Sequence, residues 1–203
     1  LNKVVIIGSG NLAEALARAV AKSGLELMQI FARNAERARI IAELTATDWA
    51  THPGMLAQDA DIYLIAVSHK AVEHVAATLP IPEGAAVAHT AGSVPLAAIP
   101  EKFAHRAVFY PMQTFTKGRE VDFSVIPVFL ETPSAELRPE LEAFARQLSG
   151  TVIWATSEQR ARVHLAAVFA CNFANHMYAV GERIVRDAGI DFDVLKPLIA
   201  ETA

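Results

Sequence analysis

The sequence predicts an α/β protein: a doubly wound, mostly parallel sheet followed by an all-helical C-terminal domain. Three observations lead there. Strand-like and helix-like patterns alternate through the first half of the chain, as βαβ units require. The first apolar run, Val4-Val5-Ile6-Ile7, is continuous rather than alternating, which suits a strand buried on both faces. From Glu158 onward the pattern is helical to about Ala188, and a second helix starts near Asp193.

Each element has its local reason. Asn11 to Ser23 carries Leu12, Ala15, Leu16, Ala19 and Val20 at helical spacing, and Gly24 closes it. A second strand is expected over Leu25 to Phe31, a second helix over Asn34 to Leu44, and a short third strand near Thr47 to Ala50. Ile62 to Val67 reads as the fourth strand, followed by a helix from Ala71 to Leu79. Ala85 to Thr90 and Ala107 to Tyr110 read as the fifth and sixth. Ser124 to Leu130 predicts a strand at a sheet edge, because Pro127 has no N–H to give a ladder. Ser134 stands as N-cap of an amphipathic helix reaching Leu148, and Gly150 follows it. Val152-Ile153-Trp154 is a last strand. The expected domains are 1–156 and 157–203, with the boundary near Thr156.

Composition narrows the function classes. With 203 residues, 53% of them hydrophobic, the chain can build a large core. A net charge of −4 offers no electrostatic case for nucleic acid or an anionic membrane as partner. The single cysteine, Cys171, excludes an internal disulfide framework, and no Cys/His cluster has metal-ligand spacing. Cys171 has no basic neighbour in sequence and reads as core. These features predict a reducing compartment, the cytoplasm by default. No signal peptide is evident, and Leu165 to Val180, interrupted by Asn172, Asn175 and His176, reads as a buried helix rather than a membrane span. An opening on Leu1 without Met, and an end on Glu201-Thr202-Ala203 without a cap, predict trimming at both ends of the gene product.

The most informative motif is Gly8-Ser9-Gly10-Asn11-Leu12-Ala13, which matches G-x-G-x-x-A. The first Gly permits a tight turn, the second lets backbone approach a diphosphate, and the small third residue lets helix and strand pack closely. Backbone N–H groups at the helix start then face the anion. The motif lies between a buried strand and an amphipathic helix, and this is the context that makes it a dinucleotide site on a Rossmann fold.

The end of the second strand selects the dinucleotide. NAD-binding chains place an acid there for the ribose hydroxyls. This chain reads Phe31-Ala32-Arg33-Asn34, with Arg37 one turn further. A guanidinium clamps a 2′-phosphate where a carboxylate would repel it, so the reading is NADP(H), held by Arg33, Asn34 and Arg37.

Ligands of such sheets lie outside the carboxyl ends of the strands. Besides the glycine loop, three segments fall there: Val67-Ser68-His69, His89-Thr90-Ala91-Gly92-Ser93, and Tyr110-Pro111-Met112-Gln113-Thr114-Phe115. With these in view the sequence resembles the Rossmann superfamily of 6-phosphogluconate dehydrogenases, pyrroline-5-carboxylate reductases and deazaflavin-dependent NADP reductases. More narrowly, it looks like an uncharacterised bacterial branch of NADP oxidoreductases that joins the Rossmann domain to a helical domain of unknown function. Phe31-Ala32-Arg33-Asn34, the two polar rim segments after the fifth and sixth strands, and Phe169-Ala170-Cys171-Asn172-Phe173-Ala174-Asn175 carry that likeness alongside the glycine loop. The resemblance implies a cofactor across the sheet edge, touching Val67, Ser68, His69, Thr90, Ala91 and Gly92, with nicotinamide near Thr90 to Ser93. It implies a substrate among Ser93, Pro111, Gln113, Thr114, Asn172 and Asn175, under a helix often completed by a dimer mate.

The helix itself carries a second signal. His164, Val168, Asn172 and Asn175 or His176 recur at spacings of three and four, and so share a face. Buried there, these polar groups meet either a substrate or another helix across a dimer interface. Hydroxyacid dehydrogenases and ketopantoate reductases of the superfamily resemble a K-x-x-x-N pattern here, with Lys as acid. This chain has Val168 or Cys171 at the Lys position, which argues against that reaction. The proton donor then falls to His164, His89, His176, a hydroxyl such as Thr90, or water. His164, Asn172 and Thr90 are the catalytic candidates. Lys70 reads equally as a contact to the cofactor's ribose or phosphate and as a solvated first-turn residue, while Lys117 and Arg119, which could meet an anionic substrate, read rather as residues of a surface loop.

The functional expectation is an NADP(H)-dependent oxidoreductase of a small carbonyl or imine compound, forming a homodimer through its C-terminal helices. The competing readings are a non-catalytic NADP(H)-binding sensor or scaffold, and a reductase whose partner is a deazaflavin.

Overall fold

The computed structural model describes residues 1–202, which form two compact units, Leu1–Ala161 and Arg162 onward. The first unit is an eight-stranded sheet with helices on both faces. Its elements are β1 (Lys3–Ile7), α1 (Asn11–Lys22), β2 (Glu26–Phe31), α2 (Ala35–Thr45), β3 (Asp48–Ala50), β4 (Ile62–Ile65), α3 (Val72–Thr78), β5 (Ala86–His89) and β6 (Arg106–Pro111). They are followed by β7 (Val128–Glu131), α4 (Leu137–Leu148), β8 (Val152–Trp154) and the start of α5 (Ser157–Ala167).

The strand order is β3-β2-β1-β4-β5-β6-β7-β8. Strands β1 to β6 run parallel, whereas β7 is antiparallel to β6 and parallel to β8. The chain leaves β1 towards one side for β2 and β3, then crosses back to β4 on the other. That reversal opens a crevice at the carboxyl ends of β1 and β4, the place where such sheets take ligands.

Period-two alternation divides the core into two layers. Val4 and Ile6 face Leu16 and Val20 of α1, Ile41 of α2 and Phe144 of α4. Val5 and Ile7 face the other way, towards Val72 and Ala76 of α3 and Phe103. A strand buried from both sides needs an unbroken apolar run, which is what β1 and β4 carry.

Two local expectations require correction. The segment read as an edge strand over Ser124 to Leu130 is a 3-10 turn (Phe123–Val125) followed by β7, which lies between β6 and β8. Pro127 is tolerated because it precedes the strand and contributes only its carbonyl, which accepts the Met112 N–H at 2.9 Å. The helix expected from Ser134 starts at Leu137, yet the Ser134 hydroxyl still caps it by accepting the Leu137 N–H.

The second unit consists of the rest of α5, a π-helical turn (Val168–Phe173), α6 (Ala174–Asp187), a 3-10 turn (Phe192–Leu195) and α7 (Lys196–Thr202). Gly181 of α6 faces the ring of Phe192, which folds the 3-10 turn back onto α6. Leu165, Phe169, Phe173 and Met177 are exposed, and so is Cys171, contrary to the expectation of a buried helix and a core cysteine. One short turn and one short helix are too little to cover a helix this apolar. The π turn also changes the face argument. It accommodates an extra residue, so the spacing that aligns His164 with Val168 does not carry regularly through Asn172 to Asn175.

Candidate functional site

The parallel arrangement of β1, β2, β4, β5 and β6 brings the predicted cofactor segments to one rim of the sheet. Gly8 ends β1 with φ of +140°, a region only glycine occupies readily, and donates its N–H to Phe31 O at 2.8 Å. A Cβ there would lie 2.1 Å from Ala66 O, so the turn can pass β4 only without a side chain. Gly10 differs. It is the N-cap of α1, has no side-chain cap, and nothing lies within 4 Å of where its Cβ would be. An uncapped helix N-terminus with open space in front of it fits a diphosphate. Ala13 is fully buried between α1 and the sheet, which meets the need for a small third residue. Asn11 donates from its side chain to Phe115 O at 3.0 Å, tying the start of α1 to the loop after β6.

The residues read as a 2′-phosphate clamp divide in two. Arg33 is exposed just past β2. Arg37 turns inward and donates to Glu14 Oε2 at 2.8 Å, while Arg18 donates to Oε1 at 3.2 Å. Glu14 is only 5% exposed. Burial alone would raise its carboxyl pKa, but the hydrogen bonds and charges of Arg37 and Arg18 outweigh burial and hold it below the ordinary value. Asn34 caps α2 by accepting the Arg37 N–H, so its side-chain oxygen is already engaged.

On the opposite side of the crevice, the segments after β4 and β5 meet. Val67 and Ser68 lead into a 3-10 turn at His69, whose Nδ1 lies 3.1 Å from the Ser93 hydroxyl. The Thr90 hydroxyl donates to Ile65 O at 3.2 Å, which ties β5 to β4 and commits its proton to the fold. Gly92 packs so closely on the Tyr110 ring that a Cβ would fall 2.5 Å from it. Pro111 is buried as the last residue of β6, whereas Gln113 and Thr114 are exposed in the loop beyond.

His89 is the clearest departure among the proton-donor candidates. It is 0% exposed, accepts the Ala91 N–H on Nδ1 and places Nε2 3.3 Å from Pro95 O. Burial, then the nearby Arg160 charge, pushes its pKa down to about 4. A neutral ring with both nitrogens occupied holds the loop and has no proton to give at neutral pH. The other candidates, His164 on α5, Asn172 in the π turn and Asn175 on α6, belong to the second unit.

The structure also contains a cluster that sequence reasoning missed. Arg160, in the first turn of α5, is 0% exposed. Its guanidinium donates to Ala91 O, Gly92 O and Val94 O at 3.1, 3.0 and 3.2 Å, and to Glu131 Oε2 at 2.6 Å. The Ser157 hydroxyl donates to the same carboxylate and accepts the Leu96 N–H. In sequence, Arg160 stands among Glu158, Gln159 and Arg162 and reads as another solvated helix residue. Only its three-residue spacing from Ser157 hints otherwise. Among the described residues, no group of His, Cys, Asp or Glu could hold a metal ion, and no helix is long and apolar enough to cross a membrane.

Comparisons with known proteins agree with this geometry. The family model described as "NADP oxidoreductase coenzyme F420-dependent" matches residues 3–91, and one for a domain of unknown function, DUF2520, matches residues 126–203. A crystal structure described as a "putative NADP oxidoreductase" from Bacteroides fragilis is 41% identical, with a TM-score of 0.90, over 99% of this chain and 78% of that one. A protein from Thermotoga maritima is 24% identical, with a TM-score of 0.73, over 98% and 77% of the two chains. A reductive aminase from Aspergillus terreus, in complex with NADPH and ethyl-5-oxohexanoate, is 16% identical with a TM-score of 0.77, over 98% and 71%. No curated protein matches the chain by sequence. With the glycine loop, the acid-free end of β2 and a 41% identical relative spanning both units, the chain belongs to the Rossmann-fold NADP(H)-dependent oxidoreductase family that the Bacteroides fragilis protein represents.

Proposed function

We propose that the protein reduces a small carbonyl or imine compound with NADPH. The observation that carries this is the open, uncapped N-terminus of α1 facing the same rim as the loop after β5. The glycine loop would hold the diphosphate. Arg33 would take the 2′-phosphate, with Arg37 behind it. Val67, Ser68, His69, Thr90, Ala91 and Gly92 would flank the nicotinamide half. NADPH, when bound, supplies the hydride. Ser93, Gln113 and Thr114 are the rim groups open to a substrate, and Pro111 backs them. His164 is the proposed proton donor, with Asn172 and Asn175 orienting the substrate. The fold likeness to a reductive aminase and to an imine reductase from Pseudomonas sp. favours a C=N or C=O substrate class.

The experiment is NADPH oxidation followed across a panel of keto acids, ketones with amines, and cyclic imines. Turnover of one class with loss of turnover in His164→Gln supports the proposal. Tight NADPH binding without turnover of any member would favour the second reading, a sensor or scaffold. The specific observation behind that reading is Val168 or Cys171 at the position where hydroxyacid dehydrogenases carry Lys. NADPH oxidation only when a deazaflavin is added would mark the third.

We also propose a homodimer formed through the C-terminal helices. Leu165, Phe169, Phe173 and Met177 are exposed in a single chain, and the Phe169 and Phe173 rings lie 5.0 Å apart across the π turn. A stripe of that size on a helix needs a partner, and a second copy brings the same stripe.

A further inference from the structure

The Arg160 cluster does more than fill a buried space. Three carbonyls of one short loop, from Ala91, Gly92 and Val94, converge on a single guanidinium, and Glu131 neutralises it from the far side. The peptide bonds are planar, and none is cis. A trans peptide points its N–H opposite to its C=O. The Ala91–Gly92 and Gly92–Ser93 peptides, with carbonyls turned towards Arg160, therefore turn the N–H groups of Gly92 and Ser93 away from it. This loop follows β5 at the carboxyl rim, where a dinucleotide crosses the sheet.

A single side chain thus sets the orientation of consecutive peptides beside the crevice. Other contacts reinforce it. Ser157 holds Leu96, the residue just beyond the loop, and also touches Arg160 Nη2 at 3.1 Å. Tyr110 closes on Gly92 from the side and leaves no room for the loop to shift that way. Glu131 sits at the end of β7, so the lock joins β5, β7 and the first turn of α5 within the first unit.

We infer that Arg160 is a positioning residue for the nicotinamide half of the cofactor: by fixing the Ala91-Gly92-Ser93 peptides it presents the Gly92 and Ser93 N–H groups to that half, without touching the cofactor itself. This inference rests on the NADP(H) reading above. It predicts an effect confined to one end of the dinucleotide. In that reading the adenosine 2′-phosphate end lies by Arg33 and the glycine loop, which share no hydrogen bond with Arg160. A merely structural Arg160 would weaken both ends together.

The test uses two probes, NADPH and adenosine 2′,5′-bisphosphate, which carries the 2′-phosphate end and no nicotinamide. Calorimetric titration of wild type, Arg160→Lys, Arg160→Met and Ser157→Ala gives both dissociation constants for each. The expected result is an NADPH Kd raised tenfold or more in both Arg160 variants and less in Ser157→Ala. The bisphosphate Kd stays within twofold throughout. If Arg160→Met does not fold, Arg160→Lys and Ser157→Ala decide by the same criterion. Equal weakening of both probes, or an unchanged NADPH Kd, overturns the positioning role. A wild type that binds neither probe overturns the NADP(H) reading, and the inference with it.

Discussion

Arg37, read in the sequence as a phosphate ligand, forms a largely buried ion pair with Glu14, with 2.8 Å between Nη2 and Oε2. The pair clamps α2 to the first turn of α1, beside the glycine loop. In the proposed reading this engages Arg37 away from a 2′-phosphate and leaves the exposed Arg33 to take that group. Arg33→Ala should therefore remove most of the preference for NADPH over NADH, at least tenfold in the ratio of Kd values, with little change in thermal stability. Arg37→Ala should cost about 1.5–3 kcal/mol of stability, the loss of one charged hydrogen bond, because Glu14 keeps only Arg18, while the preference falls less. Titration of both dinucleotides alongside urea unfolding checks the pair. A larger loss of preference in Arg37→Ala than in Arg33→Ala would refute the assignment.

Two glycines of the same loop should fail in opposite ways. Gly8 combines positive φ with a backbone carbonyl 2.1 Å from the position of an added Cβ. Gly8→Ala is expected to cost about 4 kcal/mol or more and to yield poorly folded protein. Gly10 sits at φ −77°, ψ −177°, which alanine adopts freely, and its Cβ would meet nothing. Gly10→Ala should cost about 1 kcal/mol as a poorer N-cap, yet weaken NADPH at least tenfold by filling the diphosphate space. Urea unfolding of the apo protein and NADPH titration separate the two. Equal stability loss in both variants would be the contrary outcome.

The parts of the site legible in the sequence are those set by local backbone needs. Gly8, Gly10 and Ala13 fill roles that only small residues fill, and the continuous apolar runs of β1 and β4 fix where the rim falls. The place of Arg33, exposed just past the end of β2, is legible for the same reason. What was not legible depends on residues far apart in the chain. Arg160 meets carbonyls more than sixty positions away, and Arg37 meets Glu14 across two helices. No periodicity or spacing encodes such pairings. His89 was misjudged because a histidine at a strand end gives no sign of whether the next loop folds over it. The apolar helix after Glu158 was read as buried because hydrophobicity reports a need for burial and not what meets it.

The buried His89 makes stability depend on pH. In the unfolded chain it takes up a proton near pH 6.5, whereas in the fold its pKa is about 4. Between those values the unfolded state binds more protons, so this contribution is complete above about pH 6.5 and falls as the solution is acidified. The loss should reach about 2 kcal/mol by about pH 5. Glu14, whose carboxyl is held below the ordinary value of 4.5, adds its own loss only at lower pH. Urea unfolding across this range should show the decline in wild type and a flatter curve in His89→Gln, which starts from lower stability. The same slope in both proteins would assign the acid sensitivity to other groups.

The exposed stripe on the second unit gives the last prediction. Phe169 is 62% exposed and Leu165 56%, and both stand among small alanines at positions 166 and 170 that let another helix approach. If a second copy covers them, replacing Phe169 by Glu puts a charge in each half of a symmetric interface, so the dimer carries the change twice. Phe169→Glu should shift the sedimentation profile from dimer to monomer at micromolar concentration. NADPH titration separates the site from the interface. The glycine loop, Arg33 and the Arg160 lock all lie in the first unit, so the monomeric variant should still bind NADPH. Turnover should fall if the dimer mate completes the substrate pocket. A wild type that sediments as a monomer, or a Phe169→Glu variant that remains dimeric, would remove this stripe as the interface.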